Sequence, residues 1–432
     1  MTSQSSAFGT STNQTQPRTA PNRRMHALAA VGFTALLVAG CSPASADNTE
    51  PKPDAPASDV QKTDAPAAEK SAYVSQPYDP ALLEAAYPSD GHHKSWIPIL
   101  DGYDELLKNH QDILDRDMEI VVEINGGSAK NPEQRERALD DQYEDMSMTM
   151  GEGMGQNLGK IYMDGRKNGD LPKIDALLTK GDARAAGEGA SSNPAKEHWK
   201  EQAPRPYVAH PDAIDYFDRE GGDAHDSRGG AYPSGHTSEA YWQGVIMATL
   251  LPELSNGILA RVSEAGNNRI VMGAHYPTDV IGGRMSGTSL AANRWADEEF
   301  HVLFDGAREE LVGYLESECG DTLEACIEAD TPFMTDDEAN KVYLDRMTYG
   351  FKQIGEAGQP LVVPEKAGSL LLTSHPDLTD EQRLQVLELT AIDSGYPLDK
   401  QGEGGGWQRL NLMAAMDADV EIDGSGNVQL AK

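Results

Sequence analysis

Apolar residues recur at helical spacing along most of the chain beyond residue 77. Between Asp101 and Glu123, the residues Tyr103, Leu106, Leu107, Ile113, Leu114 and Met118 stand three, four and seven apart, which predicts one or two helices with a buried stripe. Asn131 caps the next helix, Pro132 sits in its first turn, and it is expected to run to about Met150. Leu171–Leu178 is a short helix and Gly181–Ser192 a loop of small residues; Pro194–Trp199 follows, before a turn at Pro204-Arg205-Pro206. Asp212–Asp226 is polar and loop-like. Then come three apolar helices, Ser238–Leu251, Leu254–Met272 and Pro277–Trp295. The third carries Gly282, Gly283, Ser286 and Gly287, a set of small residues that predicts close helix contact. Asp297–Glu316 is amphipathic; Thr335-Asp-Asp-Glu338 and Leu378-Thr-Asp-Glu381 announce two more helices, and Trp407–Asp417 a last one. Strand signals are confined to Val121–Ile124 and Pro360–Pro364, so the expected fold class is all-α. Asp417, Asp419 and Glu421 alternate in an acidic tail that resembles a calcium loop only faintly, without a helix–loop–helix frame.

The N-terminal pattern differs. Residues 1–24 are polar and end in Arg23-Arg24; Ala27–Gly40 is apolar and meets Cys41. A basic flank, a short apolar core and small residues before a boundary make an export signal. The core is shorter than the roughly 20 residues a membrane span needs. Val38-Ala39-Gly40-Cys41 resembles the lipobox of bacterial lipoproteins. That resemblance implies diacylation of Cys41 as the new N-terminus and a durable hold on a membrane surface. A plain secretory signal with an incidental Cys is the other reading. Residues 42–76 are rich in Ala, Pro, Asp, Ser, Lys and Glu and read as a flexible tether. The expected organisation is a signal at 1–40, a tether at 41–76, a helical main domain at 77–300, and a helical C-terminal extension at 301–432 packed on it. The expected location is the cell envelope, as an exported, membrane-anchored lipoprotein with some of it released. Cys319 and Cys326, seven apart, are expected to form a local disulfide rather than two free thiols or a metal site.

Lys and Arg total 36 against 70 Asp and Glu, a formal charge of −34. Cleavage before Cys41 removes three Arg and no acids, which takes it to −37. So acidic a chain repels a phosphate backbone, and no nucleic-acid partner is expected. Against that background three blocks gather basic and nucleophilic residues: Lys196–Tyr207, Tyr232–Thr237 and Asn268–Asp279. Pro233-Ser234-Gly235-His236 leads straight into an apolar helix, whose first N–H groups and dipole favour an anion. Gly235 admits close approach and Ser234 adds a hydroxyl. Asp279 stands four after His275 and can fix its tautomer, leaving the other ring nitrogen to attack. Arg205 and Arg269 can clamp a tetrahedral oxyanion with forked hydrogen bonds. Taken singly, each piece is equally an ordinary helix start, a structural His–Asp pair or a surface Arg.

The three blocks together resemble the type-2 phosphatidic acid phosphatase and vanadium haloperoxidase superfamily. Its pattern is Lys-x6-Arg-Pro, then Pro-Ser-Gly-His, then Ser-Arg-x5-His-x3-Asp. The chain has Arg205-Pro206, Pro233–His236, and Arg269, His275 and Asp279 at those spacings and in that order. The likeness is strongest to the exported bacterial acid phosphatases and extends over roughly 140–295. Two positions depart. The family Lys falls on His198, with Lys196 restored by a two-residue insertion and Lys200 as its rival; Asn268 replaces the Ser before Arg269. The resemblance implies a helical bundle of that type and metal- and cofactor-independent hydrolysis of phosphomonoesters. In it His275 is the nucleophile, Asp279 orients it, His236 is the general acid and base, and Lys196, Arg205, Ser234, Gly235 and Arg269 bind phosphate. It also implies inhibition by phosphate or vanadate, and homodimers are frequent in the family. The alternatives are a vanadate-dependent haloperoxidase and a non-enzymatic surface lipoprotein with a vestigial phosphate pocket.

Overall fold

Three successive helices form the centre of the molecule, and their glycines explain how closely they pack. In the computed structural model, which describes residues 73–220 and 229–431, the longer helices are α1 (Gln111–Ser128), α2 (Pro132–Tyr143), α3 (Gln156–Asn168), α4 (Gly235–Leu250), α5 (Ser255–Val271), α6 (Pro277–Trp295), α7 (His301–Cys319), α8 (Asp336–Thr348) and α9 (Asp380–Thr390). All 19 residues of α6 are buried. A Cβ at Gly283 would stand 2.6 Å from the Ser234 carbonyl oxygen, and one at Gly287 would strike the Ser238 carbonyl. The small-residue face therefore lets the backbones of α4 and α6 meet. Gly244 of α4 packs in the same way on Val262 of α5.

The signal, Cys41 and nearly all of the tether lie outside the described residues, as does the end of the Asp212–Asp226 segment. The described residues form one compact unit. The C-terminal part covers α6 directly. Arg284 donates to the Gln408 carbonyl at 2.9 Å, and Ser369 donates to the Ala292 carbonyl at 2.9 Å. Among the described residues no single helix is long and apolar enough to cross a membrane.

Several local expectations are corrected. Val121–Ile124 is not a strand; it lies within α1, where Ile113, Asp117, Ile120, Val121, Asn125 and Ser128 share a buried face. Tertiary burial outweighs the weak strand preference of β-branched residues. The helix begun at Pro132 stops at Tyr143 rather than near Met150. A turn capped by Asp145 and a 3₁₀ segment at Met150–Met154 follow, because Gly153 must lie against the backbone of Gly257 and Ile258. Residues 360–364 carry no strand. Trp407–Asp417 is a 3₁₀ turn and a short helix, Leu412–Met416. Among the described residues the strands are β1 (Val420–Ile422) and β2 (Val428–Leu430), antiparallel with Glu421 opposite Gln429. The acidic tail is thus a hairpin, and Asp423 closes its turn by accepting from the N–H groups of Ser425 and Asn427 at 2.8 and 3.0 Å. The capping boxes at Thr335 and Thr379 both form, the second with Gln382. Cys319 and Cys326 are joined in a disulfide, with their Cα atoms 6.3 Å apart.

Candidate active site

The block Asn268–Asp279 does not lie on one helix. Arg269 is in the last turn of α5, Gly273 reverses the chain at φ +73°, and Pro277 opens α6. A side chain at Gly273 would collide with Ile214, which doubly favours glycine there. The reversal returns the N–H groups of Ala274 and His275 to the Arg269 carbonyl, at 3.0 and 3.2 Å. His275 therefore precedes α6, and Asp279 sits in its first turn.

His275 and Asp279 are both fully buried. His275 Nδ1 lies 3.2 Å from Asp279 Oδ2, and that oxygen also accepts from the Tyr276 N–H at 2.8 Å. The other ring nitrogen, Nε2, is 3.0 Å from Arg205 NH1. A guanidinium only donates, so Nε2 presents its lone pair and Nδ1 carries the proton toward Asp279. This is the tautomer a nucleophilic imidazole needs, with the lone pair aimed into the cationic cluster. The same Arg205 nitrogen donates to the Ala274 carbonyl at 3.1 Å.

The second motif joins the third through the backbone: Ser234 N–H donates to the Asp279 carbonyl at 2.9 Å. Ser234 caps α4, and its hydroxyl oxygen accepts from the Thr237 N–H at 3.3 Å and from the Thr237 hydroxyl at 2.8 Å. Of the N–H groups at this helix start, those of Ser234 and Thr237 are thus taken within the fold. The Ser234 hydroxyl accepts both times and keeps its own hydrogen to donate. Gly235 and the partly buried His236 form the first turn.

The lysine is placed by Gly235. A Cβ there would stand 3.6 Å from Lys196 Nζ and 2.7 Å from the Ser192 hydroxyl. Lys200 instead reaches Glu197 at 3.4 Å on the outside, and exposed His198 lies edge-on to Trp199. Arg269 is fully buried and donates through NH2 to Gln142 of α2. Asn268, the departure from the family pattern, is also buried and donates to Asp141 at 2.6 Å. Asp141 in turn pairs with buried Arg261 at 2.6 Å, so α2 and α5 share an ionic seam directly behind Arg269.

The cations hold one another at a cost. Burial, and then repulsion from Arg205, pushes the Lys196 ammonium down to about 8. The same two causes bring Arg269 down to about 10. Burial pushes the Asp279 carboxyl up to about 7, against the Tyr276 N–H, Arg205 and Lys196, which favour its charge. An anion among Lys196, Arg205 and Arg269 relieves that repulsion. Among the described residues no group of His, Cys, Asp or Glu is arranged to hold a metal ion. The sequence reading did not single out Ser192, Gln142, Asp117 or Asn125; none lies in a recognisable motif, and each touches the site only through the fold.

Residues 185–300 match the PAP2 superfamily. An acid phosphatase of Zymomonas mobilis is 36% identical over 118 residues, covering 27% of this chain and 42% of that protein. A non-specific acid phosphatase of Providencia stuartii is 31% identical over 85 residues, covering 20% of the chain and 34% of that protein. One of Salmonella typhimurium is 32% identical over 84 residues, covering 19% and 34%. The chain thus spans less than half the length of these relatives.

Proposed function

From a chain that carries a PAP2 superfamily domain at residues 185–300, we propose a phosphatase that hydrolyses phosphomonoesters in two steps through a phosphohistidine at His275. The observation that carries this reading is the contact between Arg205 and His275 Nε2, 3.0 Å. It sets an unprotonated nucleophile beside a buried cationic cluster in a chain of charge −34. An incoming phosphoryl oxygen replaces Nε2 as the acceptor of the Arg205 N–H and releases the lone pair. Lys196, Arg269, the Ser234 hydroxyl and the Gly235 N–H take the remaining non-bridging oxygens, where charge is stabilised in the transition state. His275 attacks phosphorus in line, and Asp279 steadies the positive charge that develops on the ring. His236 gives its proton to the leaving alkoxide and then takes one from the attacking water. The scheme uses no metal or cofactor.

Phosphate occupies the same groups as product, and vanadate resembles the five-coordinate transition state, so both are proposed as inhibitors, vanadate the tighter. Lipidation at Cys41 would hold the site at a membrane surface, within reach of soluble esters and of lipid phosphates. The test is turnover of a generic phosphomonoester by the wild type and by His275→Ala. Loss of at least about a thousandfold in kcat is expected, with the circular dichroism spectrum and unfolding midpoint unchanged. Undiminished turnover in His275→Ala rejects the nucleophile. A wild type that is inert toward esters but oxidises bromide with added vanadate rejects the reaction.

A further inference from the structure

We infer that Asp117 and Asn125, both on α1, are positioning residues that hold the two ends of the nucleophile turn and thereby aim His275 and Asp279. The inference rests on the reading of His275 as nucleophile. Both residues are almost fully buried, at 2% and 1% exposure, on the inward face of α1. They lie eight residues apart, so they share that face. Neither belongs to a motif, and neither is among the proposed phosphate-binding groups.

Asn125 grips the end of α5. Its Nδ2 donates to the Val271 carbonyl at 2.8 Å and to the Asp215 carbonyl at 3.0 Å, while its oxygen accepts the Asp215 N–H at 2.9 Å. The Val271 carbonyl belongs to a helix C-terminus, where carbonyls lack partners of their own. Asp117 grips the start of α6. Its Oδ1 accepts the Thr278 N–H at 3.1 Å, and its Oδ2 is bonded to the Thr278 hydroxyl. Thr278 N–H is one of the open donors of a helix N-terminus, so a side chain of α1 satisfies it. The span between these grips contains Gly273, His275 and Pro277.

The grip on Thr278 matters because Asp279 is held by one oxygen. Its Oδ2 serves His275 and Tyr276, whereas its Oδ1 is buried without a hydrogen-bond partner. The aim of that carboxylate therefore depends on its backbone. The backbone is fixed on both sides, by Asp117 at the Thr278 N–H and by the Ser234 N–H at the Asp279 carbonyl, 2.9 Å. One link ties the dyad to the phosphate loop and the other ties it to α1. Asp279, Tyr103, Tyr276 and Tyr349 lie within electrostatic reach of Asp117, and burial holds its carboxyl well above the usual range. An asparagine there keeps the acceptor for Thr278 N–H and supplies a donor to its hydroxyl.

The experiment measures kcat, KM and the tautomer of His275, read from imidazole ¹⁵N shifts, in Asp117→Ala, Asp117→Asn and Asn125→Ala. The alanine variants are expected to lose about tenfold or more in kcat, with KM moved by less than about threefold, because a misaimed nucleophile costs rate before binding. Both should show mixed His275 tautomers where the wild type shows the Nδ1–H form alone. Asp117→Asn should return to within about threefold of wild-type kcat and to one tautomer. Wild-type kcat and a single tautomer in both alanine variants overturn the inference. So does an Asp117→Asn variant as damaged as Asp117→Ala, which would make a carboxylate charge the requirement rather than the grip. Should alanine at 117 prevent folding, Asn125→Ala and Thr278→Val carry the same decision. If the wild type turns over no phosphomonoester, the reaction reading fails, while the tautomers still decide the positioning.

Discussion

The charge on Lys196 is an adjustable quantity in the proposed phosphate pocket. Its ammonium titrates near 8 because it is buried beside Arg205, so the protonated, anion-binding form prevails below that pH and is lost as pH rises through it. Sulfate, whose charge is constant in this range, separates the protein's titration from the ligand's. Calorimetric sulfate affinity is expected to fall by about tenfold per pH unit above about pH 8, on top of the shallower loss as Asp279 ionises near 7. Lys196→Met should bind weakly with no such limb, and Lys200→Ala should keep it; the reverse result would move Lys200 into the pocket. The sequence left the two lysines as rivals because their spacing to Arg205 fits neither family position. The choice was made by the helix Asn193–Trp199, which turns Lys196 toward Gly235 and leaves Lys200 with Glu197. Asn268 looked like an ordinary replacement for Ser in the sequence. In the fold it is a buried donor to Asp141, a partner 127 residues away that no local pattern announces.

Among the elements, α4 and α6 carry the site, and their separation is set by glycine. A methyl group at Gly283 meets the Ser234 carbonyl at 2.6 Å and the Thr237 side chain at 2.7 Å, both parts of the proposed phosphate loop. Gly283→Ala is therefore expected to cost about 1–3 kcal/mol of stability and to weaken sulfate binding as the loop is pushed aside. Urea unfolding and the same calorimetry check it; unchanged binding would mean that the helices yield elsewhere. The bounds of α6 and the capping box at Thr335 were legible, because Pro at a first turn and Thr-x-x-Glu act within four residues. The interior of α1 and the end of α2 were not. In those places the deciding contacts come from α5 and from the loop at Asp215, and local strand preference or a long polar run gives no hint of them.

For the whole molecule, the fully buried α6 means that the C-terminal part is cover for the site-bearing helices. Ending the chain at residue 300 removes the partners of Arg284 and Ala292 and bares the apolar side of α6. The truncated protein is expected to lose its cooperative thermal transition; a sharp transition with retained sulfate binding would show that 77–300 suffices. The sequence by itself determined the helical class, the positions of the main helices, the motif residues and the excess of acid around them. These rest on periodicity, caps and spacing, which are local. Tertiary structure alone decided which lysine faces Gly235, the tautomer that Arg205 and Asp279 impose on His275, and the grip of α1 on the turn between α5 and α6. Those depend on groups distant in sequence being brought within hydrogen-bonding range, where burial makes each bond, and each missing partner, count for more than it does in water.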